Sequence, residues 1–217
     1  MDNQVKNKTL AGGYNLVPLG YFCSVAMELE RVGLRQFSLP FDWIISEDFN
    51  KVLHEIENGF EHFLDKNSFY QEYNVNPEYY YNEAVGLHFY HDFNPYKSFD
   101  EQYENFEKKY KKRIKRFFEI IKKPTIFIRY CAGEDEITFI KSNEEKINSV
   151  LQSFNAANKI IFITDIVGDY GENFFYTEKD KGDGVSRKFL RKNSELEKIL
   201  YRVSVLTQKE IKKTNRF

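Results

Sequence analysis

Two short stretches of this chain, Thr125-Ile126-Phe127-Ile128-Arg129-Tyr130 and Lys159-Ile160-Ile161-Phe162-Ile163-Thr164-Asp165, are apolar at nearly every interior position. A strand with one wet face alternates apolar and polar residues, so a continuous apolar run must be covered on both sides. The segment between them, Glu134 to Phe154, has the length and pattern of a crossover helix, and such a crossover joins parallel strands. The prediction is an α/β fold: one three-layer domain with a mostly parallel sheet and helices on both faces. At 217 residues the chain can build one sizeable core.

Other elements follow from periodicity. The apolar run Leu16–Leu19 reads as a strand, and Ser24–Val32 as a helix with Val25, Ala26 and Leu29 on one face. A helix is expected from Ser46, with Glu47 and Asp48 in its first turn and Val52, Ile56 and Phe60 inside. Residues 67–86 read as loop with at most a short strand, and Leu87–His91 as a strand closed by the Asp92–Pro95 turn. The clearest helix spans 99–122, where Phe99, Tyr103, Phe106, Tyr110, Ile114, Phe117 and Ile121 form one stripe. Residues 1–12 read as a disordered lead-in. Beyond Gly168 the pattern is irregular, with a strand at Phe174–Tyr176, a helix over Arg187–Tyr201 and an apolar segment at Val203–Leu206.

With 32 basic and 33 acidic residues, the net charge of −1 gives no electrostatic case for nucleic acid. The Lys108–Arg116 basic cluster is read as the solvated face of its helix. No apolar run is long enough to span a membrane, and Met1–Lys8 lacks a signal-peptide core, so a cytoplasmic protein is expected. The two cysteines, Cys23 and Cys131, form neither a disulfide framework nor a zinc spacing, and no cofactor is expected.

An open parallel sheet binds ligands beyond the carboxyl ends of its strands. Three such ends carry chemistry: Gly20 leads to Cys23, the next strand ends at Arg129 to Glu134, and the last at Thr164-Asp165. A thiol at a helix start lies by unpaired N–H groups and the positive end of the helix dipole, which favour thiolate. A thiolate also needs a base. His54 and His62 lie among charged neighbours and read as surface residues, and His88 sits within a strand. His91, at the strand end, is the preferred base, with His88 second. Asp42, Asp92 and Asp165 are candidates to orient it, and backbone N–H groups at Cys23 and Ser24 would hold an oxyanion. Ser24, Trp43, His88, Arg129, Glu134 and Asp165 are expected around a substrate. Arg129 would bind an anionic ligand or pair with Asp42 or Glu134, and Trp43 would anchor its loop.

The blocks Leu19-Gly20-x-x-Cys23-x-Val25-Ala26, Gly33-Leu34-Arg35-x-x-Ser38-x-Pro40-Phe41-Asp42-Trp43 and His88-x-x-His91-Asp92-Phe93 resemble an uncharacterised bacterial family known as putative papain-like cysteine peptidases. Tyr110-x-x-Arg113-x-x-Arg116-Phe117 before the Ile128-Arg129 strand end matches as well, so the resemblance runs over residues 14–166. It implies a Cys23 nucleophile and a base in the His88–His91 block. The expected activity is a thiol-dependent hydrolase or acyltransferase acting on a small molecule, peptide or glycan, with oligomeric state left open. Two alternatives stand beside it. One is a non-hydrolytic enzyme or accessory protein of cell-surface polysaccharide biosynthesis that binds an anionic sugar, which the gene neighbourhoods of family members suggest. The other is a binding domain without chemistry. One feature opposes the papain comparison: papain-like sites place the histidine on an antiparallel sheet, whereas this sequence reads as parallel strands.

Overall fold

A computed structural model describes residues 14–71, 79–178 and 198–201 of the chain. Strands β1 (Asn15–Pro18), β6 (Thr125–Cys131), β7 (Lys159–Thr164) and β8 (Phe174–Tyr176) form one sheet in the order β1-β6-β7-β8, all parallel. Every residue of β6 is buried, as the continuous apolar run requires.

Side-chain parity then assigns the layers. Val17, Phe127, Cys131, Ile160 and Phe162 face the larger core, shared with α2 (Phe49–Glu57), α3 (Phe99–Ile121), α4 (Glu134–Ser142) and α5 (Glu144–Gln152). Leu16, Ile126, Ile128, Tyr130, Ile161 and Ile163 face the other way, onto Val25 and Leu29 of α1 (Ser24–Arg31) and Leu200. The result is the expected three-layer arrangement, with helices on both faces of a parallel sheet. Residues 198–201 are helical; the Val203–Leu206 segment, most of the expected last helix and residues 1–12 lie outside the described residues.

Several elements differ from expectation. Residues 67–86, which the sequence reads as loop with at most a short strand, contribute two strands, half of a second, antiparallel sheet in the order β2-β5-β4-β3. Its strands are β2 (Ile44–Ile45), β3 (Phe69–Gln71), β4 (Tyr80–Asn82) and β5 (Leu87–Phe89). The strands are two or three residues long, too short for an alternation to stand out among many Tyr and Asn. What holds them is one buried face: Ile44, Tyr80, Asn82, Leu87 and Phe89 point into the larger core. There Phe69, Phe89 and Phe93 meet Phe106 of α3 at ring separations of 4.8–5.3 Å.

Helix α2 begins at Phe49 and not at Ser46. The Asp48 carboxylate accepts from Asn50 N and Lys51 N, so Asp48 is the N-cap. The expected single helix over 134–154 is split at Asn143, whose backbone leaves the helical region and whose Nδ2 donates to Phe139 O (2.8 Å). Helix α3 matches the predicted stripe and opens on a Ser98–Glu101 capping box.

Candidate active site at the carboxyl edge of the parallel sheet

The chain leaves β1 through Gly20 (φ 79°) and Tyr21 (φ 56°) before Cys23 caps α1. At Gly20 a Cβ would run into Ser46 Oγ, so the close approach and the positive φ both demand glycine. Tyr21 holds the same left-handed region with a full side chain, a strained conformation of the kind that clusters at functional sites. Its ring and that of Phe22 pack edge-on against Tyr130, at 5.8 and 5.5 Å. Tyr130 in turn donates to Asp165 Oδ1 (2.5 Å), and burial and that carboxylate push its phenol well up, keeping it a donor. The Cys23 loop and the end of β7 thus meet over one tyrosine.

Cys23 is half-buried and Cys131 fully buried. Burial pushes the Cys131 thiol well above its ordinary range, so it has no accessible thiolate. Ser24, at the first helical position, is buried beside Cys23. Met27 N donates to Cys23 O (2.9 Å), closing the first turn of α1.

Arg129 is fully buried beneath this loop, and its five donors are spent. Nε and Nη2 reach Glu136 Oε1 (2.8 and 2.7 Å), Nη1 reaches Leu19 O and Ser46 Oγ (2.9 and 2.8 Å), and Nη2 also reaches Ser46 O (2.6 Å). The expectation that Arg129 pairs with Asp42 or Glu134 is corrected: its partner is Glu136. In α4 the residue that shares a face with buried Ile140 is Glu136, four positions earlier, whereas Glu134 is exposed. With no donor left, Arg129 clamps the ends of β1, β2 and α4 together and does not face an anionic ligand.

Asp42 and Asp92 are each engaged with a cation. Asp42 Oδ2 accepts from Arg35 Nε and Nη2 (3.0 and 2.7 Å) and from Leu39 N (2.9 Å), closing the Pro40 turn. Burial nevertheless raises its carboxyl above the usual range, with Arg35 opposing. Arg35 stacks on Trp43 (5.1 Å), and Trp43 meets His91 edge-on (6.1 Å), so the Arg35–Asp42 pair is linked to His91 through Trp43. Asp92 accepts from Lys109 and from Tyr110 Oη (2.9 Å).

The two histidines lie differently. His91 is exposed past the end of β5, packed between Trp43 and Tyr90. His88 sits within β5, directly opposite Ile45 on one side and Tyr81 on the other, its ring 4.6 Å from that of Tyr81. Directly opposed residues share a face. Ile45 packs against the same cluster as Cys23, and the next residue, Ser46, donates its N–H to Tyr21 O (2.8 Å). The antiparallel sheet is thereby joined to the cysteine loop, with His88 on the face that Ile45 presents to it. Sequence reasoning gave no site role to Tyr81, Ser46 or Tyr130. Tyr81 lies on β4 and Ser46 directly follows β2, positions that only the second sheet makes visible.

The family model described as "Putative papain-like cysteine peptidase" matches residues 14–168. The chain is also similar to Uncharacterized protein R408 of Acanthamoeba polyphaga mimivirus, 29% identical over 178 residues, which cover 66% of this chain and 78% of that protein. A viral relative gives no support to a family confined to bacteria. No solved structure matches the chain.

Proposed function

The chain belongs to the family of putative papain-like cysteine peptidases, and from that premise we propose that it is a thiol-dependent acyl hydrolase with Cys23 as nucleophile and His88 as base. The observation that carries this reading is the joint between the two sheets. A thiol at a helix start and a histidine on an antiparallel strand are linked through Ser46 N to Tyr21 O and through the Ile45–His88 pair. That is the papain division of labour, obtained here from a second sheet.

In this reading His88 takes the Cys23 proton, and the thiolate attacks the carbonyl carbon of an ester, thioester or amide. The oxyanion is held by the amides of Cys23 and Ser24 at the start of α1. His88 returns the proton to the leaving group as the thioester forms; water, deprotonated by His88, then releases the acid and restores the thiol. Tyr81, whose ring lies 4.6 Å from that of His88 and tilted at 50° to it, limits the rotation of the imidazole. Trp43 and His91 form one rim of the site and Asp165 the other, where they meet substrate. Asp42 and Asp92, already held by cations, support this rim without touching the imidazole.

The test is acyl trapping. Incubation with an activated ester, followed by peptide mass mapping, is expected to acylate Cys23 in the wild type. Acylation should be at least about tenfold slower in His88→Ala and absent in Cys23→Ala. Acylation confined to lysines, or unchanged in His88→Ala, would refute it.

A further inference from the structure

A groove of about 480 Å³ is lined by Lys108, Lys109, Lys112, Arg113 and Arg116 of α3, with Asn105 and Ser38. That is the basic stripe that sequence alone assigns to a solvated helix face. Its geometry says more. No acidic residue lines it. Lys108 and Lys109 are paired, with Glu104 and Asp92. Among the described residues, no carboxylate forms an ion pair with Lys112, Arg113 or Arg116.

Arg113 is the second observation. Its guanidinium is held over the Tyr110 ring (4.8 Å), and its buried Nη1 has no hydrogen-bond acceptor. That atom is closed to solvent, and the Arg113 charge acts on Asp42, whose Oδ1 is likewise without a hydrogen-bond partner; the groove is lined by the rest of the side chain. Arg116 is fixed too, donating from Nη1 to Ser38 O (2.9 Å) while stacking on Phe37 (5.2 Å). Two guanidinium groups held in place beside an unpaired ammonium form a preorganised site for phosphate oxygens.

We infer that this groove binds a small phosphate-bearing ligand, one with two adjacent phosphates. The cations run from position 108 to 116, about 12 Å of helix at 1.5 Å per residue. That length serves two phosphates and is short for a nucleic-acid track, which the near-neutral chain does not extend. The volume falls within the range of small-molecule sites, roughly 300–1,000 Å³. The site is separate from Cys23 but shares the Arg35–Ser38 segment with the rim at Trp43, so occupancy bears directly on that rim.

Titration of the full chain with inorganic pyrophosphate, followed by calorimetry, tests this. Saturable binding is expected, weakening with salt, and weakening about tenfold in Lys112→Gln and again in Arg113→Gln. Lys112 is exposed, so its variant keeps the fold. Vesicles carrying diacylglycerol pyrophosphate, whose headgroup bears the same two adjacent phosphates, separate the sources. Co-sedimentation with them, lost in Lys112→Gln, assigns a lipid headgroup; binding to pyrophosphate alone assigns a soluble ligand. No saturable binding, binding indifferent to both variants, or tighter binding to a short single-stranded RNA than to pyrophosphate would overturn the proposal.

Discussion

At Arg129 the chain buries a guanidinium completely and surrounds it with one carboxylate and three backbone or hydroxyl oxygens. Burial raises the Glu136 carboxyl even against the neighbouring charge, which shows how much desolvation the pair carries. Glu136→Gln should therefore cost about 3 kcal/mol of unfolding free energy in denaturant titration, because it strands a buried charge. The double variant Arg129→Met/Glu136→Gln should recover part of that loss; a double variant worse than the sum of its parts would show that the clamp to Leu19 and Ser46 matters more than the pair. The sequence exposes Arg129 as an anomaly, a charge inside an apolar strand. It does not reveal the partner: Glu134 and Glu136 are equivalent until the phase of α4 is fixed by Ile137 and Ile140 facing inward. Asp42 is similar. Its flanking Phe41 and Trp43 announce burial, while the Arg35 pairing depends on how the Pro40 turn folds back.

At the scale of elements, the parallel strands and the long helix are legible because their signals are long: seven buried residues in β6, five of the six in β7 with only Lys159 exposed, and a stripe along the 23 residues of α3. The antiparallel sheet is not, since strands of two or three residues carry too few positions to reveal a period of two. The split between α4 and α5 rests on one asparagine, a residue common in helices and at their ends alike. Joints between elements also rest on single side chains. Asn158, almost fully buried, donates from Nδ2 to Ile121 O and Leu151 O (both 2.9 Å) and accepts from Thr125 N (3.0 Å). It closes α3, α5 and the start of β6 onto one another. Asn158→Ala leaves those three backbone groups without partners and should lower stability by about 2–3 kcal/mol, seen as a lower midpoint in urea; a loss below about 0.5 kcal/mol, typical of surface sites, would mean that water replaces it without cost.

Across the whole molecule, one aromatic-rich core supports both sheets, so the cysteine and the histidine are carried by different sheets that cannot move independently. The sequence suggests both residues and the edge at which the cysteine sits. It ranks His91 ahead of His88 because a strand end looks more functional than a strand interior; we reverse that order, as a proposal, on the pairing of β5 with β2. The groove on α3 tells the same story: the charges are plain in the sequence, but their concavity is not. Among the described residues no helix is long and apolar enough to cross a membrane. If Cys23 is a thiolate nucleophile paired with His88, as proposed, its rate of alkylation depends on that histidine. A raised thiol pKa keeps the proton on, so at pH 7 the buried Cys131 should react only through unfolding. With iodoacetamide at pH 7, read by peptide mass spectrometry, Cys23 should be alkylated at least about a hundredfold faster than Cys131. That rate should fall about tenfold in His88→Ala and hold in His91→Ala. A Cys23 rate indifferent to His88, or one that falls only in His91→Ala, would contradict it.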